Sequence, residues 1–175
     1  SCLFDHILPQ PFVITSERTG ISLFYKELDI SKNAIIEHLA ATDKVNPIEL
    51  LNIMRSRYAQ PIRDNINVIR DYENLSKKKS FIKENNNKYK HILDSLYDLM
   101  GGVYKSIDKQ VMFVPKKERN RAKVNVPVYI ASSSIKSLFL IDMYINYLSV
   151  NNGLLIIDEP ELNLHPDNQR KVAGL

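Results

Sequence analysis

The chain has 175 residues, of which 44% are hydrophobic and 25% charged, with 24 Lys and Arg against 20 Asp and Glu. That length allows a buried core and one or two domains. The lone cysteine, Cys2, excludes an internal disulfide and fits a reducing compartment. No apolar run approaches the roughly 20 residues that span a bilayer. The start, Ser1-Cys2-Leu3-Phe4-Asp5-His6, lacks the basic opening and apolar core of a signal peptide. A cytoplasmic location without membrane contact is therefore expected, and a net charge of +4 permits nucleic-acid contact without requiring it.

Along the chain, Pro11-Phe12-Val13-Ile14-Thr15 reads as a strand, followed by a polar turn toward Gly20. Arg18 in that turn could reach a phosphate or a partner, or close a structural salt bridge. From about Ile30 to Met100 the pattern is helical. Ile35, Ile36 and Leu39 follow Ser31 as N-cap, and Pro47 opens a helix carrying Leu50, Leu51, Met54 and Tyr58. Pro61 opens another, with Ile62, Ile66, Ile69 and Tyr72. The clearest stripe is Tyr89, Ile92, Leu93, Leu96, Tyr97 and Met100. Such stripes belong to a helical core, and no heptad persists long enough for an extended coiled coil. Lys77-Lys78-Lys79, with Lys83, Lys88 and Lys90, is either a solvated face or a phosphate-binding surface.

Gly101-Gly102 ends the helical stretch. Val103–Ile107 and Gln110–Val114 read as a hairpin turning at Asp108-Lys109 and stopped by Pro115. A basic loop over residues 116–123 leads to a strand from Val126 to Ala131, which aims at Ser132. The helix expected over residues 133–148 is apolar on most sides and should be buried. Ser132, Ser133 and Ser134 open it. They can cap the helix, or cradle a phosphate with their hydroxyls and the free N–H groups at the positive end of the dipole.

A turn at Asn151-Asn152-Gly153 then leads into Leu154-Leu155-Ile156-Ile157-Asp158-Glu159. An apolar run ending in two acids reads as a buried strand delivering carboxylates to the carboxyl edge of a parallel sheet, where ligands sit. The first acid can support Mg²⁺, and the second can polarise a water against a γ-phosphate. A core strand whose last residues merely meet solvent is the alternative.

The order of serine cradle, helix, turn and acidic strand resembles the C-terminal part of an ATP-binding-cassette-type ATPase head, as in SMC, RecF and RecN proteins and OLD-like ATPases. Asp158-Glu159 match the Walker B pair, and residues 162–165 fall at the D-loop. Ser132-Ser133-Ser134-Ile135-Lys136 stands in place of the signature Ser-Gly-Gly-Glu/Gln-Lys, with both glycines replaced by serine. Glu17-Arg18-Thr19-Gly20 and the run to Leu164-His165-Pro166 are similar to bacterial "AAA-domain" ATPases of the OLD and RecF-like type.

The resemblance implies an α/β fold, part of an ABC-type P-loop NTPase sheet, with segments 1–29 and 102–175 forming the head and 30–101 an inserted helical arm. It implies ATP and Mg²⁺ as ligands, Glu159 as general base and Asp158 holding the metal through water. Ser132, Ser133, Ser134, Lys136 and His165 would meet nucleotide across a homodimer in which two heads sandwich two ATP molecules. The arm would then serve a DNA or protein partner, with defence against phage as one setting.

None of the five glycines, Gly20, Gly101, Gly102, Gly153 and Gly174, begins the Gly-x-x-x-x-Gly-Lys-Ser/Thr phosphate loop. In the resembling families that loop lies N-terminal to the motifs seen here, and a switch histidine lies beyond Leu175. The chain is accordingly expected to be an internal fragment, inactive by itself. A non-catalytic interaction module, a transporter-type ATPase subunit and a two-carboxylate metal nuclease remain the rival readings.

Overall fold

The computed structural model describes residues 9–24, 58–116 and 124–175. The helices expected after Ser31 and Pro47, and most of the basic loop after Lys116, lie outside the described residues. Strand β1, Gln10–Ile14, pairs in parallel with β5, Gly153–Ile157, in a register that sets Ile14 opposite Ile157. This is the α/β arrangement with a parallel sheet that the strand at Pro11 and the acidic strand imply. Residues 18–24, directly after β1, are helical.

Among the described residues, four helices precede the next strand: α1 (Gln60–Arg70), α2 (Tyr72–Leu75), α3 (Phe81–Glu84) and α4 (Lys90–Met100). Pro61 lies in the first turn of α1, where its missing N–H costs nothing. Ile66 and Ile69 are buried beneath it. Asn65, also buried, donates to Val13 O at 2.6 Å and so fastens α1 to β1. In α4, Leu93, Leu96, Leu99 and Met100 face the core, and Gly101, with φ 64°, ends the helix in the left-handed conformation glycine tolerates.

Strands β2 (Gly102–Ile107) and β3 (Gln110–Pro115) form the expected hairpin. Asp108 and Lys109 both have positive φ, at 50° and 60°, as a two-residue turn matching the strand twist requires. The strand expected from Val126 to Ala131 is shorter. Only Val126–Pro127 (β4) pairs with β3, and Val128–Ile130 wind into a 3₁₀ turn. Pro127 has no N–H for the ladder, so pairing stops there.

Helix α5, Ser133–Met143, runs through the core. Leu138, Phe139, Leu140, Ile141 and Met143 are all buried, and Phe139 packs on the rings of Tyr104 and Tyr72. Its last stretch departs from the single helix expected over 133–148. Residues Tyr144–Leu148 form a π-helical turn, closed by Ser149 N donating to Tyr144 O at 2.8 Å. The amides of Ser80 and Phe81 reach Asn146 O and Ser149 O, so α3 docks on the carbonyls of this wider turn. The described helices of the 30–101 segment thus share one core with β1 and α5.

Strand β5 is less enclosed than its apolar run implies. Leu155 and Ile157 turn inward, but Leu154 and Ile156 are 42% and 44% exposed. Among the described residues the parallel sheet has two strands, and the alternating exposure along β5 leaves one of its faces uncovered. The chain ends in α6, Pro166–Ala173.

Candidate functional site

The pairing of β1 with β5 fixes where the two acids emerge. Asp158 N donates to Ile14 O at 2.9 Å, continuing the ladder one residue beyond β5. Both Asp158 and Glu159 are then exposed at the carboxyl edge of the parallel pair. Glu159 has φ 46°, in the left-handed region that non-glycine residues occupy at a steric cost. Its carbonyl accepts from Leu162 N at 2.9 Å, which tightens the turn after the strand. Asn163, with φ 64°, makes a second left-handed bend, and Leu164 returns to the core.

Arg18 explains how that turn is held. Its side chain is fully buried at 0% exposure, and its hydrogen-bond partners are main-chain carbonyls and a hydroxyl in place of the phosphate, partner or structural salt bridge considered from sequence. Its Nη1 donates to Asp158 O at 2.8 Å and to Thr15 O at 3.4 Å, and its Nη2 to Glu159 O at 2.7 Å. Its Nε donates to Ser137 Oγ at 2.9 Å. Burial pulls the guanidinium below its ordinary pKa, and the charges of Asp158, Glu159 and Glu161 pull it back up.

The serines that open α5 divide their tasks. Ser132 is the N-cap, its Oγ accepting from Ile135 N at 3.4 Å. Ser133 is exposed at the first helical position. Ser134, half-buried, donates to Asn163 O at 2.7 Å, and Ser137 donates to Leu162 O at 3.0 Å. Asn163 Nδ2 reaches Thr19 Oγ1 at 3.1 Å. The start of α5 and the turn after the acids are therefore tied together within one chain. Lys136 is half-buried on the same first turns. His165 is exposed and caps α6, its Nδ1 accepting from Asp167 N at 3.4 Å. Reasoning from sequence gave no role to the side chains of Ser137 and Thr19, and placed Asn163 only as part of the D-loop stretch. The available signal was Arg18 four positions beyond a strand, but Ser137, Asp158 and Glu159 lie more than a hundred residues away from it.

A Mg²⁺ ion fits this edge in one mode. Among the described residues no three His, Cys, Asp or Glu side chains converge into a protein cage. Mg²⁺ is commonly held by one or two carboxylates together with water and substrate phosphates, and exposed Asp158 and Glu159 suit that mode. Two grooves, of about 570 and 430 Å³, lie elsewhere. The larger is lined by Tyr72, Lys77, Tyr104, Lys105 and Tyr147, and neither is lined by the acidic pair or by the serines that open α5.

Among the described residues no helix is long and apolar enough to cross a membrane. In comparison with known proteins, the family described as "AAA ATPase domain" matches residues 13–175. No curated protein and no solved structure matches the chain.

Proposed function

Because the chain belongs to the AAA ATPase domain family, we propose that it forms part of an ATP-hydrolysing head of ABC-type design, in which the acidic pair after β5 acts on bound nucleotide. The observation that carries this reading is the parallel β1–β5 pair, which brings Asp158 and Glu159 to its carboxyl edge on the same turn that is bonded to the start of α5. In such sheets that edge is where phosphates are handled.

In this reading Asp158 would hold Mg²⁺, as the Walker B residue. The ion supplies neutralisation of phosphate charge. Glu159 accepts a proton from the water that attacks the γ-phosphorus, the bond to the β-phosphate oxygen breaks, and ADP leaves. Ser132, Ser133 and Ser134, with Lys136, meet the γ-phosphate held by a second subunit, where the exposed start of α5 adds the positive end of its dipole. The turn through His165 lines the seam between the two heads. The segment 30–101 is the insertion through which closure acts on a DNA or protein partner, and in its described part it is a layer of the head. Residues 1–175 contain no phosphate loop, so this stretch alone should not turn over ATP.

The test is ATP hydrolysis by the full-length protein with and without Asp158→Ala. Magnesium-dependent turnover that falls at least about a hundredfold in the variant supports the reading, since a metal-supported charge is worth several kcal/mol. Turnover unchanged in Asp158→Ala contradicts it. Magnesium-dependent nicking of plasmid DNA without ATP turnover would move the acids to a nuclease.

A further inference from the structure

Arg18 heads the largest fully buried side chains among the described residues, and charge at such a position is costly unless its donors are well matched. Its matches are unusual in kind. The guanidinium spans two successive main-chain carbonyls, those of Asp158 and Glu159, and adds the hydroxyl of Ser137. The Ser137 hydroxyl in turn donates to Leu162 O, and Leu162 N donates to Glu159 O. A closed ring results, running from Arg18 through Ser137, Leu162 and Glu159 and back to Arg18. It encloses a residue whose φ of 46° is costly unless its surroundings impose it.

We propose that Arg18 is a positioning residue for the acidic pair: its fork fixes the left-handed turn that presents the Glu159 carboxylate and, through Ser137, ties that turn to the helix opening at Ser132. The inference rests on the reading of Glu159 as general base. Arginine suits the task because its donors lie in one rigid plane and can bridge neighbouring oxygens. A lysine is a point donor and cannot hold both carbonyls and the hydroxyl together. Arg18 is enclosed by protein and acts only through Glu159 and its turn.

The experiment compares Arg18→Lys and Ser137→Ala with the wild-type full-length protein, at a temperature where all are folded. Three quantities are read: Mg-ATP affinity by calorimetry, single-turnover hydrolysis, and amide hydrogen exchange in peptides covering 158–164 and 102–115. A displacement near 1 Å can cost about a hundredfold in rate. Hydrolysis by Arg18→Lys should therefore fall about tenfold or more, with affinity within about twofold of wild type. Exchange should rise in 158–164 and stay unchanged in the hairpin peptide. Because Arg18 acts through Glu159, adding Arg18→Lys to Glu159→Gln should slow hydrolysis no further.

Unchanged exchange over 158–164, equal loss of protection in both peptides, or rate losses that add in full overturn the proposal. Should Arg18→Lys fail to fold, Ser137→Ala removes one hydroxyl from the ring and carries the same readouts. Failure of the ATPase reading shows separately, as wild-type turnover by Glu159→Gln, and the exchange measurement then still decides the role of Arg18.

Discussion

Asp142 is the one carboxyl among the described residues that burial drives far from its ordinary titration. It lies on α5 inside the core, where desolvation raises its pKa from 3.8 to about 7. A bond from Asn146 Nδ2 at 2.8 Å and the charge of Lys83 oppose that rise. Tyr72, Tyr104 and Tyr147 are the other titratable groups coupled to it, and burial pushes each of them upward. The folded state keeps a proton that the unfolded chain releases above pH 3.8. Asp142 therefore contributes fully below that pH, and its contribution is lost as the pH rises through about 7. At 1.36 kcal/mol per unit the swing is about 4 kcal/mol. Asp142→Asn, neutral throughout, should gain stability relative to wild type between pH 4 and pH 8. Thermal unfolding at both pH values checks this, and a constant difference between the two proteins would contradict it. Sequence patterning could not single out Asp142, because one acid on an apolar helix does not say which way it points. The role of Arg18 was hidden for a related reason: its partners Ser137 and Glu159 lie 119 and 141 positions away.

Elements were more legible where local chemistry decides them. Asp108-Lys109 between two alternating runs specified the hairpin, and Gly101 specified the end of α4. Tertiary demands decided the rest. Pro127 cut short a strand that apolar content favoured, and docking of α3 accompanies the π-helical turn at the end of α5. The serines at the start of α5 were readable as a cap or as a phosphate cradle, and the structure adds a third task, since Ser134 holds Asn163 O. Ser132→Ala should cost about 1 kcal/mol of stability as a lost N-cap, measured by denaturant unfolding. An arginine at Ser134 would also break the bond to Asn163, so exposed Ser133 is the cleaner probe of the cradle. In the full-length protein, Ser133→Arg should abolish ATP-induced dimerisation and leave ATP binding by each subunit largely unchanged. Light scattering with Mg-ATP checks this, and a dimer as tight as wild type would leave the segment a helix cap only.

At the scale of the molecule, the parallel pair, the buried helix α5 and the turn after β5 form one mechanical unit. Arg18, Asn65, Ser134 and Ser137 bond it at separate points. The α/β class and the emergence of two acids at a sheet edge were legible because an apolar run between a turn and two acids reads as a strand that ends at solvent. The exposure of Leu154 and Ile156 was not, since a run of that kind in a parallel sheet normally has cover on both faces. The central claim is that this unit presents Glu159 as the base for ATP hydrolysis. Single-turnover hydrolysis by the full-length protein, wild type against Glu159→Gln, tests it most directly, with bound nucleotide measured in the same samples. The account predicts a rate lower by about 10²–10⁴ with ATP still bound. A Glu159→Gln protein that hydrolyses ATP at the wild-type rate would contradict it.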